Sequence, residues 1–488
     1  MGWLSLAIWL PIATAVLLLL MPRNAAWVRG VGLVGALLGL AVTLPLYFGF
    51  QTGTADMQFV EHVRWIERWH VYYYLGIDGI SLWFIILTAV INLLVIIAGW
   101  HAADACIKEY MAAFLALSGL MIGVFSALDG LLFYIFFEAT LIPMYIIIGV
   151  WGGKNRIYAS FKFFLYTLLG SLLSLVAIVY LYRASGGSFN IQVWHKTPLS
   201  LTAQTLVFFA MFAAFAVKVP MWPVHTWLPD VHVEAPTGGS VVLAAIMLKL
   251  GAYGFVRLSM PIAPDAAREW AWLMIALSLI AIVYIGFVAL IQKDMKKLVA
   301  YSSVAHMGFV TLGFFLFSDL GISGGLVQMI SHGFVSGAMF LCIGVLYERT
   351  HSREIADYGG VVQVMPRFAA LALLFFMANC GLPGTSGFVG EWMVILAAIK
   401  YQFWIGVAAA STLVLGAAYT LWMFKRVYFG AAVSETVKAL RDIQTREFLV
   451  LAVFAVMVLG AGIYPKLLTD VMDASVQHLL GQITSSKL

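Results

Sequence analysis

Six ionisable side chains lie within or beside long apolar stretches of this 488-residue sequence. They are two glutamates, two lysines and two histidines: Glu138, Lys218, Lys249, His306, His332 and Glu391. A charge inside a bilayer costs at least about 2.5–3.5 kcal/mol on insertion scales, so such groups are kept when they are paired, hydrated or functional. Because carboxylates, amines and imidazoles all exchange protons, this set predicts a proton path through a membrane.

Helix geometry gives the depth of two of these groups. Glu138 follows Asp129 by nine residues, which places it about 13 Å along a helix and near the middle of a hydrocarbon core about 30 Å thick. Lys249 lies eleven residues beyond Gly238, about 16 Å deep. Two alternatives remain open, namely a static buried ion pair for the lysines and hydrogen-bonded helix packing for the histidines.

Composition excludes several classes of protein. The chain is 63% hydrophobic and 10% charged, and its mean hydropathy is +0.97, whereas soluble domains are about 45–50% apolar and about 25% charged. The net charge of +5 comes from scattered basic residues, which argues against a nucleic-acid interface. Three isolated cysteines predict no disulfide framework, zinc site or iron–sulfur ligand set; they are Cys106, Cys342 and Cys380.

Two local patterns resemble binding motifs, and we interpret both as structural. Gly30, Gly32 and Gly35 fit a dinucleotide fingerprint but lie in an apolar, helix-length segment, which favours helix packing by small residues. A second group has metal-ligand spacing but stands beside three prolines, so we predict a structured loop; it comprises His225, Asp230 and His232.

The apolar runs predict an all-α integral membrane fold with about fourteen transmembrane helices. Twelve are simple: 3–21, 28–50, 78–100, 110–127, 130–150, 160–182, 238–260, 270–291, 299–317, 322–346, 403–424 and 447–464. Two are longer and broken, at about 202–233 and 367–398. No soluble domain interrupts the spans, so residues 1–488 read as a single polytopic membrane domain.

The breaks indicate internal symmetry. Prolines and glycines within Lys218–Asp230 and Asn379–Glu391 prevent continuous helices, and unwound backbone at membrane depth survives only against protein or a water-filled cavity. The breaks are five spans apart, and a five-helix unit inserted twice must have inverted copies. We therefore predict inverted repeats over about 110–260 and 270–424, followed by a short C-terminal tail over 465–488.

Basic residues predict the orientation. Lysine and arginine are about twice as frequent in loops after odd-numbered spans, including Arg23, as in the other loops, which include Arg257. Because fourteen is even, both termini are predicted on the outer side of a bacterial-type inner membrane. The first span lacks a preceding basic residue and a small-residue cleavage site, so it is predicted to be a span rather than a signal peptide. Lys400 and Lys425 are predicted to snorkel to the headgroups.

Several long motifs together resemble one family: Tyr74–Ser81, Phe136–Pro143, Lys218–Asp230, Lys293–Gly308 and Gly381–Glu391. They are similar to the proton-pumping, antiporter-like membrane subunits of respiratory complex I, which are related to subunits of multisubunit Na⁺/H⁺ antiporters. Glu391 stands where sister chains usually carry lysine, and the short tail lacks a long lateral helix. Within the family, the sequence therefore most resembles the chain M group of NADH–quinone oxidoreductases.

The resemblance implies a role for each of the six residues. Glu138 and Lys218 resemble the family's ion pair, and Lys249 its central proton carrier. Glu391 resembles the terminal group of a hydrated axis, His306 a residue that bridges from Lys249 to Glu391, and His332 a neighbour of that bridge.

The resemblance also implies the surroundings of the chain. The expected partners are the lipid bilayer and other complex I membrane subunits, including two sister antiporter-like chains, without nucleic acid. Flavin, iron–sulfur clusters and quinone are expected in partner subunits and no cofactor in this chain. The alternatives are a subunit of a Na⁺/H⁺ antiporter or membrane-bound hydrogenase with the same fold, and a passive scaffold whose charges are structural pairs.

Overall fold

Long apolar helices make up most of the chain in a computed structural model that describes residues 2–22, 24–102, 106–432 and 434–488. Arg23, which contributed to the count of basic residues, lies outside the described residues. Within the described part, twelve helical segments are long and apolar enough to cross a membrane, and Pro366–Asn379 is a shorter apolar helix. The predicted multi-pass helical fold is confirmed, whereas the count of fourteen spans and the inverted repeats stay predictions.

The chain divides into two compact units, of which the first comprises residues 1–220, 246–273 and 470–488. Its elements are Trp3–Leu20 (α1), Ala25–Phe48 (α2), Gln58–Ile66 (β1), Val71–Ile77 (β2), Gly79–Ala98 (α3), Ile107–Ser126 (α4), Gly130–Ala139 (α5), Leu141–Trp151 (α6), Arg156–Ala184 (α7), Ile191–Trp194 (α8) and Leu201–Lys218 (α9).

The second unit comprises residues 221–245 and 274–469. The chain continues through Trp227–Glu234 (α10), Thr237–Val242 (α11), Leu248–Gly254 (α12), Met260–Ile262 (α13), Pro264–Glu269 (α14), Ala271–Leu290 (α15), Met295–Phe314 (α16), Asp319–Thr350 (α17), Val361–Val364 (α18), Pro366–Asn379 (α19), Ser386–Tyr401 (α20), Phe403–Ala410 (α21), Thr412–Tyr428 (α22), Glu435–Lys438 (α23), Thr445–Ile463 (α24) and Lys466–Thr484 (α25). Of these, α12, α13, α14 and most of α25 belong to the first unit.

Both predicted helix breaks are present. The first separates the end of α9 at Lys218 from the start of α10 at Trp227, and the second separates Asn379 from Ser386. Prolines occur in both intervening segments, and a proline inside a helix removes a backbone donor. The segment Thr237–Ile262 is helical throughout but changes to π-helix at Leu243–Met247 and again at Phe255–Ser259.

A β-hairpin precedes α3, and the sequence analysis did not predict it. Strands β1 and β2 pair antiparallel, with His62 opposite Tyr74 and Val63 opposite Tyr73. The hairpin is joined to α5 by Asp129, whose carboxylate accepts the Tyr72 backbone N–H at 3.1 Å. An aromatic and β-branched segment of this kind favours strands, so the signal was present in the sequence.

The glycine pattern of α2 serves helix packing, as predicted. Residues Ala25–Phe48 form one helix, and a Cβ at Gly35 would lie 2.3 Å from a methyl carbon of Thr14 in α1. Since real side chains do not approach that closely, α1 and α2 meet where this position lacks a side chain. Gly35 therefore lies on a helix interface, whereas a Cβ at Gly30 would meet nothing within 4 Å.

Candidate functional site

In the first unit, Asp129 fixes the start of the helix that carries Glu138. One Asp129 oxygen accepts the N–H groups of Leu131 and Leu132, both at 3.0 Å, and so caps α5. Capping satisfies donors that the first helical turn would otherwise leave unpaired. Glu138 lies nine residues further along and is half-buried.

Lys218 lies against the same turn as Glu138. Its buried ammonium donates to the Phe137 carbonyl at 3.0 Å and to the Thr140 hydroxyl at 3.2 Å. The ammonium also stands 3.6 Å from the centre of the Phe137 ring, a cation–π contact. The Coulombic interaction between Lys218 and Glu138 adds to these direct contacts. The turn therefore holds a charged lysine in place by several independent interactions.

Lys249 is fully buried on α12, between the two π-helical segments. Its helix approaches the end of α9 closely because Gly251 has no side chain. A Cβ at Gly251 would lie 2.7 Å from the Phe215 carbonyl oxygen and 3.0 Å from Cβ of Lys218. The structure thus brings the backbones that carry Lys218 and Lys249 together, and π-helical segments are frequent at functional sites.

In the second unit, His306 and Glu391 are in direct contact. Nδ1 of His306 on α16 lies 2.6 Å from Oε1 of Glu391 on α20, and both side chains are about 95% buried. The Gln328 side-chain amide on α17 donates to the same Glu391 oxygen at 3.2 Å and lies 3.5 Å from Nδ1 of His306. Three helices therefore converge on one carboxylate oxygen.

His332 completes this second group. It lies on α17, one turn beyond Gln328, and its ring centre is 5.9 Å from that of His306. The Ser336 hydroxyl is 3.4 Å from Nδ1 of His332. The packing of α17 against α20 depends on Gly390, since a Cβ there would lie 2.7 Å from the Gln328 backbone. The residue before Glu391 therefore controls how closely the carboxylate approaches its partners.

The six predicted residues thus fall into two groups of three, one in each unit. Two polar contacts of these groups were not predicted from the sequence, and they are made by Thr140 and Gln328. Gln328 could have been found, because an amide within a long apolar run carries the same kind of signal as a buried histidine. The threonine gives no such signal, since threonine is common in membrane helices.

Other singled-out residues have ordinary surroundings. Lys400 and Lys425 are exposed, and the Lys425 ammonium lies 6.0 Å from the centre of the Trp422 ring. Their snorkelling to the headgroups stays a prediction. The predicted loop is wrong for Asp230 and His232, which lie on the short helix α10. The His232 ring stacks there on Phe340 with centres 4.4 Å apart.

Comparison with known proteins places these groups in context. The sequence family described as "NADH:quinone oxidoreductase/Mrp antiporter, TM" matches residues 127–416. NADH-quinone oxidoreductase subunit M of Rhodobacter capsulatus is 50% identical, over 98% of this chain and 96% of that protein. A chain of respiratory complex I from Thermus thermophilus superimposes with a TM-score of 0.90 at 32% identity, covering 98% of this chain and 99% of that one. A chain of the Mrp complex from Dietzia matches at TM-score 0.85 and 23% identity, over 98% of this chain and 52% of that chain, which shows a shared fold alone.

Proposed function

Since the chain belongs to the antiporter-like, proton-translocating membrane subunits of NADH–quinone oxidoreductase, in the subunit M group, we propose that its two buried groups carry the translocated protons. The first group is Glu138, Lys218 and Lys249, and the second is His306, His332 and Glu391. The observation that supports the proposal best is the buried 2.6 Å contact between His306 and Glu391. An imidazole and a carboxylate at this distance can share and pass a proton.

The first group can control when a proton is released. A buried ammonium is stabilised by the nearby Glu138 carboxylate, so a change in that charge changes how readily Lys218 gives up its proton. Lys249 lies on the adjacent helix and is the proposed next carrier. We propose that a charge displacement reaching Glu138 from a partner subunit begins the transfer.

The test replaces one carrier and one matched surface lysine. Lys249→Met in the assembled complex should lower NADH-driven proton pumping at least fivefold and, through coupling, slow NADH oxidation. Lys400→Met removes the same charge from an exposed position and should leave both rates unchanged. An assembled Lys249→Met complex that pumps at the unmodified rate would refute the role of Lys249.

The proposal extends to the surroundings of the chain. We propose that this chain binds other complex I membrane subunits, including two sister antiporter-like chains, and carries no flavin, haem or iron–sulfur cluster of its own. Stoichiometric absorbance from a flavin, haem or iron–sulfur cluster in the purified chain would contradict this proposal. We also propose that both termini face the outer side, which puts Asp78 and Arg257 at the outer ends of their helices.

Sodium antiport remains the alternative to test. The fold is shared with a chain of the Mrp complex, but that likeness does not establish which ion is moved. Proton pumping measured in sodium-free buffer should equal pumping with sodium present. A requirement for sodium would favour the antiporter reading.

A further inference from the structure

A buried ion pair lies on the same helical segment as Lys249. Nη2 of Arg257 is 2.7 Å from Oδ1 of Asp78, and both side chains are more than 90% buried. Arg257 follows Lys249 by eight residues, which is about 12 Å along the helix. Asp78 is the N-cap of α3 and accepts the Ser81 N–H at 2.9 Å. The pair therefore stands between Lys249 and the outer end of its helix.

A tyrosine occupies the position between the two cations. Tyr253 lies four residues from Lys249 and four from Arg257, and residues at this spacing share a helix face. Its hydroxyl accepts from Nε of Arg257 at 3.0 Å and donates to the Phe125 carbonyl at 2.9 Å. The hydroxyl also lies 3.0 Å from Oγ of Ser81, which accepts from Nη2 of Arg257 at 3.1 Å. The tyrosine next to Lys249 along the helix face is therefore tied into the hydrogen-bond network of the ion pair.

The C-terminal helix closes the outer end of the same helices. Ser475 on α25 accepts the Gly79 N–H at 3.0 Å, directly beside Asp78. The Lys487 ammonium donates to the carbonyls of Ile262 and Trp194 at 2.9 and 3.0 Å. The backbone at the outer end of the Lys249 helix is therefore held by the tail.

His195 holds Arg257 from the loop side. Burial lowers the pKa of His195 to about 3, so its ring is neutral. Its Nε2–H donates to the Arg257 carbonyl at 2.9 Å, and Gln482 of α25 lies 3.4 Å from its other nitrogen. The imidazole thus links the tail to the Arg257 backbone.

We propose that Arg257, held by Asp78, is a barrier that stops protons on Lys249 from leaking outward along their own helix. A guanidinium does not release its proton in proteins, so it cannot serve as a relay. A positive charge fixed in a poorly hydrated site also opposes the approach of a second proton, and membrane channels exclude cations in this way. The inference rests on the proposed function of Lys249.

The test measures passive proton flux through the purified complex in proteoliposomes. The double variant Asp78→Asn/Arg257→Gln removes both charges while keeping hydrogen-bonding groups. It should raise the passive decay rate of an imposed pH gradient at least fivefold, leave NADH oxidation within twofold of the unmodified rate, and lower the steady NADH-driven gradient.

A matched control lies at the same end of the segment. Arg268 is also paired with an aspartate, Asp265, at 2.5 Å, and also contacts the tail through the Ile483 carbonyl at 2.9 Å, but it lies beyond Arg257 in the chain. Arg268→Gln should therefore leave the passive flux unchanged. A rise in flux equal to that of the double variant would mean that loosening the tail causes the leak, and the barrier proposal would fail.

Adding Lys249→Met separates the two proposals. If the leak runs through Lys249, the triple variant Asp78→Asn/Arg257→Gln/Lys249→Met should return to the passive flux of the unmodified complex. A leak that persists refutes the barrier, whereas normal pumping by Lys249→Met alone refutes the carrier role. If the double variant does not assemble, Arg257→Lys replaces it, because lysine keeps the charge but can release a proton. That variant should raise the flux at least twofold, and an unchanged flux contradicts the proposal.

Discussion

Glu138 is the carboxylate on which the first group depends, because Lys218 is hydrogen-bonded to the two residues Phe137 and Thr140 that flank it closely in the chain. Glu138→Gln keeps the size and hydrogen bonding of the side chain but removes its charge. We expect pumping to be abolished or severely reduced and NADH oxidation to slow, since the Lys218 ammonium loses its nearby anion. Glu138→Asp keeps the charge and should retain partial activity.

Assembly must be measured beside pumping for these variants. If Glu138 were only a structural partner, the glutamine variant would leave a buried cation without its counter-charge and lower the amount of complex rather than its turnover. Native gels of the membranes together with NADH-driven pumping distinguish the two cases. A fully assembled Glu138→Gln complex with normal pumping would exclude Glu138 from the mechanism.

Gln328 offers a graded test of the second group. Gln328→Leu removes the amide that donates to Glu391 at 3.2 Å, which leaves the buried carboxylate oxygen with His306 alone. Because loss of one partner to a buried charged group costs about 1–3 kcal/mol, we expect pumping to fall about fivefold or more in an assembled complex. Gln328→Asn keeps an amide on a shorter side chain, so its pumping rate should lie between those of the unmodified complex and of Gln328→Leu. Unchanged pumping in Gln328→Leu would show that the amide does not serve the Glu391 site.

The sequence predicted which ionisable residues lie in apolar segments, but not which of them are in contact. The six ionisable residues were singled out because a charge in an apolar run is costly and therefore informative, and their role in proton transfer stays a prediction. Their grouping was not predictable, because the contact of His306 with Glu391 joins positions 85 residues apart. Arg257 was counted with the loops, yet it lies on a π-helical segment and is 7% exposed. Arg257 lies near the end of a predicted span, and the sequence alone does not distinguish a snorkelling arginine from a buried, paired one.

Gly251 allows α12 to approach α9 closely, so a larger residue at this position should change the packing of the two helices. Gly251→Val would place atoms within 2.7 Å of the Phe215 carbonyl oxygen, so the two helices must separate. We expect a destabilisation of about 1–3 kcal/mol, as for other overpacked cores, and reduced pumping through misplacement of Lys218 and Lys249. Thermal unfolding of the purified complex and pumping assays measure the two effects.

Gly460 supplies the control for that substitution. It lies within α24, and a Cβ there would meet no atom within 4 Å. Gly460→Val should therefore leave thermal stability and pumping close to those of the unmodified complex. Equal losses in both variants would indicate a general intolerance of valine rather than a specific helix contact.

The elements themselves were predictable because each span is an apolar run of membrane length. The predicted limits 28–50 and 130–150 correspond to helical segments at Ala25–Phe48 and Gly130–Trp151. The hairpin of β1 and β2 was not predicted, because its strands of nine and seven residues are shorter than the apolar runs that indicate membrane spans. The π-helical segments beside Lys249 have no sequence signature, since they arise from packing along one helix.

Orientation is the prediction that belongs to the whole molecule. Reporters fused at Gly2 and after Leu488 should both be active only on the outer side, because basic residues are concentrated in loops of the opposite side. Leu488 is 72% exposed, which makes it a suitable fusion point. An inward report from either terminus would require an odd number of spans or a reversed topology.

The division into two units was not predicted from the sequence. The prediction of one polytopic domain over residues 1–488 stays a prediction. The chain clusters into units that each draw on separate segments, with residues 246–273 and 470–488 joining the first. Units assembled from distant segments leave no linker or change of composition to detect. The two broken helices were nevertheless visible, because proline acts locally.

The position of α25 has a consequence for biogenesis. This helix is translated after every other described helix. Its Ser475 accepts the Gly79 N–H, and Lys487, just beyond its end, donates to the carbonyls of Trp194 and Ile262. During synthesis, these backbone groups therefore stay without their C-terminal partners until the last segment has been made. A nascent chain at that stage already contains Lys249 but not the tail contacts at the end of its helix. The last step in ordering this helix is therefore the docking of the C-terminal segment, because chain ends become ordered only when they are tied down.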